Sequence, residues 1–294
     1  MGPFDWLPHA PLEPVRLDWL KGVELAVLRL DRIDPLISGN KWFKLTGHLA
    51  QTPDARGIIS LGGAYSNHLH ALAAAGKRFG FPTVGLLRGH PQDNPTIQDL
   101  KAFGMQLYWL GYGGYRARHE SGFWQPWRER YPHLHPVPEG GGGLAGAIGC
   151  GVLVNQARAQ LPALGWADYD AWWLAAGTGT TLAGLVLAEA GAHRVYGAMA
   201  VPDDHGVAQN VDALVQGGYE LLNASRGGFG KVDPVLLDFI DATQQACGLP
   251  LEPLYTGKAL LALKAQIEAG RFTPGTRLIF VHTGGLQGNR GFTG

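Results

Sequence analysis

The sequence predicts an α/β protein with parallel sheets, and three observations carry that reading. Short apolar runs alternate with amphipathic or Ala-rich segments along most of the chain, as strands separated by crossover helices do. The run 171–176 is apolar throughout and enters Gly177-Thr178-Gly179-Thr180-Thr181, the signature of a buried strand ending in a tight turn. Composition agrees: 44 glycines with only 16% charged residues suit a compact chain with many close backbone approaches.

The elements follow in order. After a Pro-rich start, residues 23–30 read as a strand, and Pro35 breaks the chain before Ser38-Gly39-Asn40-Lys41-Trp42-Phe43-Lys44-Leu45 opens an amphipathic helix. Residues 57–61 form the next strand, leading through Gly62-Gly63-Ala64-Tyr65-Ser66-Asn67-His68 into an Ala-rich helix to about 77. The unit recurs as strand 83–87, helix 95–103 and strand 106–110, followed by a polar helical stretch to about 130 and strand 134–137. Four glycines, 140–143, offer the best domain boundary, and a helix spans 144–160. Beyond the 171–176 strand come helix 182–190, strand 195–201, helix 259–269 and a last strand 278–281 ending in His282-Thr283-Gly284-Gly285.

With 24 basic and 24 acidic residues the chain has no net charge, which argues against nucleic acid or an anionic membrane as partner. Residues 1–6 show neither a basic nor an apolar leader region, and no apolar run is long enough to cross a bilayer. Cys150 and Cys247 lack metal-ligand spacing, so a reduced, cytoplasmic setting is expected and no metal site is.

Several residues could carry chemistry. Lys41 sits at a loop-to-helix junction, where partial desolvation lowers a lysine's pKa and frees its amine for a Schiff base with pyridoxal phosphate. The 177–181 loop would offer helix-start N–H groups and the hydroxyls of Thr178, Thr180 and Thr181 to a phosphate, or it is a plain strand-to-helix turn. Its letters partly fit a dinucleotide turn, but no Gly-Lys-Ser/Thr follows to make a Walker loop. Ser66-Asn67-His68 is either an ordinary N-cap or a helix start that binds a substrate carboxylate. His68 and His70 read as structural or solvated, and Tyr255 as core or as a ring stacked on a flat cofactor.

Five segments, in order, resemble the D-cysteine desulfhydrase and 1-aminocyclopropane-1-carboxylate (ACC) deaminase family. They are Ser-Gly-Asn-Lys-x-x-Lys-Leu at 38–45, Ser-Asn-His at 66–68, the Gly/Thr loop at 177–181, Tyr-Thr-Gly-Lys at 255–258 and His-Thr-Gly-Gly at 282–285. The resemblance implies the two-domain tryptophan synthase β-like fold (fold type II), with open twisted parallel sheets, flanking helices and pyridoxal 5'-phosphate as cofactor. It implies a larger cofactor domain from 1–45 and 151–294, a smaller inserted domain at 46–150, and a homodimer.

It further implies that Lys41, rather than Lys44, forms the internal aldimine and later moves the α-proton. Asn67 would bond the phenolic oxygen, and Gly177, Thr178, Gly179, Thr180 and Thr181 would hold the phosphate. Tyr255 would lie against the ring, with Thr256 and Thr283 near its nitrogen. Ser66 would hold the substrate carboxylate and assist proton transfer, with Asn67, His68 and Phe229 also lining the substrate.

ACC deaminases carry Glu and Leu where this chain has Thr256 and Thr283. A carboxylate keeps the pyridine nitrogen protonated and the electron sink strong, as opening a cyclopropane requires; a hydroxyl suffices for expelling a thiolate. The expected reaction is therefore α,β-elimination on a small amino acid, giving pyruvate, ammonia and, from cysteine, sulfide. ACC deaminase is the alternative, and a nicotinamide-dependent oxidoreductase or a non-catalytic binder on the same fold come from other classes. Two positions depart from the desulfhydrase pattern: Gly228-Phe229-Gly230 replaces Gly-Tyr-Gly, and Tyr65 stands where Gln is common.

Overall fold

A computed structural model describes residues 6–52 and 56–291, so residues 1–5, on which the leader reading mainly rests, lie outside it. The strands are β1 (Leu12–Val15), β2 (Glu24–Arg29), β3 (Gly57–Gly62), β4 (Thr83–Leu87), β5 (Gln106–Trp109), β6 (Leu134–Val137), β7 (Ala171–Ala176), β8 (Arg194–Met199), β9 (Tyr219–Asn223) and β10 (Arg277–His282). The helices are α1 (Asn40–Gln51), α2 (Asn67–Phe79), α3 (Pro95–Ala102), α4 (Gly111–Arg116), α5 (Gln125–Arg130), α6 (Gly143–Cys150), α7 (Val152–Arg158), α8 (Thr180–Glu189), α9 (Val207–Asp212), α10 (Pro234–Cys247) and α11 (Thr256–Glu268).

These strands form two sheets. The larger runs β1-β2-β10-β7-β8-β9, parallel except for the antiparallel edge pair β1–β2; the smaller runs β5-β4-β3-β6 and is parallel throughout. Alternate residues of the buried strand β7 feed opposite faces of the large sheet, as period-two geometry requires. Trp172, Leu174 and Ala176 pack with α6, α7 and α8, while Ala171, Trp173 and Ala175 pack with α11. Both indoles of β7 are satisfied: Trp172 Nε1 donates to Glu189 at 2.7 Å and Trp173 Nε1 to the Ala259 carbonyl at 2.8 Å. No helix among the described residues is long and apolar enough to cross a membrane.

The structure departs from the sequence expectation where glycine or proline intervenes. The stretch expected to be helical up to 130 is two short helices, the second begun by Pro126 in its first turn. The helix expected at 144–160 tightens to an i→i−3 bond at Gly151, which separates α6 from α7. The sequence reading omitted β1, β9, α9 and α10. The smaller sheet lies within 57–137, but α1 runs across the expected boundary at 45/46, and Ala147 and Cys150 of α6 belong to the large-sheet core.

Helix α1 is held at two glycine contacts. A Cβ at Gly39, which has φ +81°, would lie 2.2 Å from the Thr283 carbonyl oxygen, so the helix start presses on the end of β10. Further along, Cβ atoms at Gly47 and Gly149 would lie 2.0 Å from the Ala145 oxygen and 2.1 Å from the Phe43 oxygen, so α1 and α6 cross backbone to backbone. Replacing Gly149 with Ala should therefore cost about 2–3 kcal/mol, typical of overpacking. Urea unfolding would register this as a lower midpoint; an unchanged midpoint would mean the helices separate freely.

Candidate active site

The C-terminal ends of β7, β10 and β3 carry the Gly/Thr loop, Thr283 and Ser66-Asn67, the edge where parallel α/β sheets bind ligands. Helix α1 brings its lysines to the same place. Half-buried Lys41 donates from Nζ to Asn40 Oδ1 at 2.8 Å, and Asn40 Nδ2 donates to Thr181 Oγ1 at 2.8 Å. One buried amide thus joins the Lys41 amine to the first turn of α8. Thr181, expected at the phosphate, is engaged by this amide.

Lys44 lies one turn further along and is buried. Its Nζ donates to the Gly140 carbonyl at 3.1 Å and to Thr178 Oγ1 at 3.4 Å, while Thr178 and Thr180 share a hydroxyl contact of 3.0 Å. The glycine run expected as a domain boundary also walls the Lys44 side of the site. A Cβ at Gly141 would lie 2.9 Å from Lys44 Cβ, and His48 Nε2 meets the Gly142 carbonyl at 3.0 Å. A side chain there would push the Lys44 stem off the loop.

Burial pulls the Lys41 amine well below the ordinary lysine range, and the neighbouring Lys44 charge acts in the same direction. Burial lowers Lys44 to about 8. Near neutrality Lys44 therefore keeps its proton at the anion loop, while Lys41 is biased towards the free amine.

Tyr255 lies over the loop: a Cβ at Gly177 would be 2.9 Å from its ring, and the Phe229 ring centroid is 5.5 Å from that of Tyr255. The Phe229 loop is pinned by Lys258, whose Nζ donates to the carbonyls of Ser225, Gly228 and Phe229 at 2.9, 2.8 and 3.1 Å. Thr256 is fully buried; its hydroxyl donates to the Glu252 carboxylate at 3.1 Å and accepts the Glu252 N–H at 3.0 Å. That carboxylate also caps α11 through the N–H groups of Tyr255 and Thr256. Thr283 is half-buried, and its carbonyl accepts the Asn40 N–H at 3.2 Å.

Ser66 is the N-cap of α2, accepting the Leu69 N–H at 3.2 Å, which leaves its O–H available. Asn67 opens the helix and is half-buried. His68 departs from the expected substrate contact. It is buried beneath the site and gives its Nε2–H to Ser60 Oγ at 2.8 Å, because Ser60 spends its own hydrogen on the Val137 carbonyl. Its imidazole is held well below the ordinary range, by burial first and then by Lys41 and Lys44. His70 is likewise internal, 3.0 Å from Asp99.

The sequence reading missed the contacts of Asn40, Glu252 and Lys44. The first and last stood inside the 38–45 motif, and Glu252 stood three residues before Tyr255. Taken together, a lysine whose proton is weakly held, a second lysine on a Gly/Thr loop at a helix start and an aromatic ring over that loop fit a phosphorylated aldehyde cofactor.

No protein-family model matches the chain. Among curated proteins it is 27% identical to the 1-aminocyclopropane-1-carboxylate deaminase of Burkholderia orbicola, over 98% of this chain and 94% of that one. It is 26% identical to the bifunctional D-cysteine desulfhydrase/1-aminocyclopropane-1-carboxylate deaminase of Arabidopsis thaliana, over 91% of this chain and 73% of the relative. Among solved structures, an ACC deaminase homologue superposes with a TM-score of 0.75 at 25% identity, covering 98% of this chain and 94% of the other. A hydrogen sulfide-producing enzyme from Fusobacterium nucleatum superposes at 0.70 with 11% identity, covering 96% and 95%, and shares the fold. The chain is similar over most of its length to proteins of the ACC deaminase and D-cysteine desulfhydrase type and has the fold type II architecture of pyridoxal phosphate enzymes.

Proposed function

We propose that this protein is a pyridoxal phosphate-dependent lyase that removes a β-substituent from a small amino acid such as D-cysteine, releasing pyruvate, ammonia and sulfide. The observation that carries this reading is the pair of lysines one turn apart on α1, Lys44 reaching Gly140 and Thr178 of the two glycine loops and Lys41 joined through Asn40 to the first turn of α8. Lys44, Thr178, Thr180 and the start of α8 would hold the phosphate, and Lys41 the aldehyde carbon. Tyr255 would hold the ring, Asn67 the phenolic oxygen. When bound, the cofactor supplies an electron sink conjugated to the substrate's α-carbon.

The chain's own groups do the rest. The α2 start and the Ser66 O–H would orient the substrate carboxylate, with Tyr65 and Phe229 bounding the side-chain end. The Lys41 amine takes the α-proton, a task suited to a lysine whose proton is weakly held. Neither Thr256 nor Thr283 is itself a carboxylate, which suits elimination, where the departing thiolate carries the electron pair away. ACC deaminase is the second reading. It is favoured by Glu252, whose carboxylate hydrogen-bonds the Thr256 hydroxyl and whose charge is felt at Lys41.

A homodimer and a cytoplasmic location belong to the same proposal. Exposed Leu144 and Ile148, one turn apart on α6, suit a face between two copies, and both cysteines are free thiols.

Lys41→Ala should fold but lose the covalent visible band of the loaded enzyme, with sulfide and pyruvate release from D-cysteine falling at least about a thousandfold. Adding D-cysteine and then ACC to the wild type decides between the readings. Keto-acid formation from ACC alone would replace the first with the second, and no uptake of pyridoxal phosphate would remove both.

Protonation adds a second expectation. Inorganic phosphate should bind more weakly as pH rises through about 8, because Lys44 then loses its proton, and Lys44→Met should abolish that slope in calorimetry. In the ligand-free protein the same lysine works in the opposite direction. Its folded pKa of about 8 lies below the unfolded 10.5, so stability should rise across that interval in the wild type and less so in Lys44→Met.

A further inference from the structure

Residues beyond the family motifs also reach the site. After β10 the chain enters a 3-10 segment, Leu286–Gly291, that crosses from the large sheet to the unit built on the small one. Gln287 in this segment donates from Nε2 to Asn67 Oδ1 at 2.9 Å, across 220 residues of sequence. On the other side of the same amide, a Cβ at Gly285, which has φ +88°, would lie 2.6 Å from Asn67 Nδ2. The Asn67 amide is thus held between a side-chain donor and a glycine backbone.

The segment is itself braced. Arg290 Nε donates to the Gln287 carbonyl at 3.2 Å, and its guanidinium pairs with Asp99 of α3. Asp99 is also met by His70 Nε2 at 3.0 Å. Gln287 is therefore presented to Asn67 from a backbone tied down on the small-sheet side.

We infer that Gln287 is a positioning residue that holds the Asn67 amide in the orientation that offers its N–H, rather than its carbonyl, to the cofactor's phenolic oxygen. This rests on the cofactor reading above. An amide has one acceptor and one donor end, and reversing it turns a hydrogen bond into a contact between two acceptors. With Gln287 giving a hydrogen to Oδ1 the donor end is the one left free, whereas the reverse pairing, Gln287 accepting from Nδ2, would turn Oδ1 outward. Leucine at 287 would remove the bias. Glutamate would reverse it by accepting from Nδ2 and turning Oδ1 outward.

The test measures pyridoxal phosphate dissociation constants and the pH midpoint of the visible band for wild type, Gln287→Leu and Gln287→Glu. Loss of one oriented hydrogen bond should raise the constant about three- to tenfold in Gln287→Leu, with a larger loss in Gln287→Glu. The midpoint should move upward in the same order, because an oxygen anion deprived of a donor holds its proton to higher pH. Unchanged constants and midpoint in both variants would overturn the assignment while leaving the cofactor reading intact. Equal losses in both variants with an unmoved midpoint would also overturn it, since those describe a segment that merely docks. Failure of the wild type to take up the cofactor would instead bring down the underlying reading.

Discussion

The site depends on how closely α1 approaches its neighbours. Gly39 places the helix start on the carbonyl of Thr283, and the Gly47–Gly149 crossing lets the helix lie directly on α6. The lysines project from this helix, so the two contacts set where both amines sit. Reciprocal packing at β10 supports the arrangement: a Cβ at Gly284, whose φ is +74°, would lie 2.5 Å from Gly39 Cα. A substitution at any of these positions would reach the site through backbone displacement rather than through lost side-chain chemistry.

Fixing two lysines one turn apart in a buried space separates their chemistry. Charging both would place like charges together in a low dielectric, so the amine with fewer acceptors gives up its proton more readily. Lys44 has the Gly140 carbonyl and the Thr178 hydroxyl to stabilise its ammonium, whereas Lys41 has only the Asn40 amide oxygen. The glycine run takes part as well, since its carbonyls accept from Lys44 and His48. A loop made of peptide groups alone thus contributes to deciding which lysine stays charged.

Most buried strands and the helices between them were legible, because an apolar run between turn residues has few alternatives in a parallel sheet. Ser66 as a cap and Lys41 as a desolvated lysine were legible for the same local reason. The edge strand β1 was not, since Leu12-Glu13-Pro14-Val15 contains a proline that only an edge tolerates. Helix α10 did carry a signal, with Asp233 capping it and Pro234 in its first turn, but its boundaries went unread. The role of Lys44 and the burial of His68 depend on contacts with residues 140–178 and 60, across folds of the chain that no local spacing encodes.

Position 256 illustrates why a single letter does not fix the reaction. A hydroxyl has one hydrogen and two lone pairs. The Thr256 hydrogen goes to the Glu252 carboxylate and one lone pair takes the Glu252 N–H, so what remains can only accept. A ring nitrogen meeting that lone pair would bond to it only as N–H, the protonated form that a carboxylate would favour directly. Threonine backed by a buried glutamate is therefore chemically closer to an acid than threonine alone, though weaker, because burial also raises the pKa of Glu252. In the proposed site the pair, rather than the threonine alone, would set the strength of the electron sink and so the balance between elimination and ring opening.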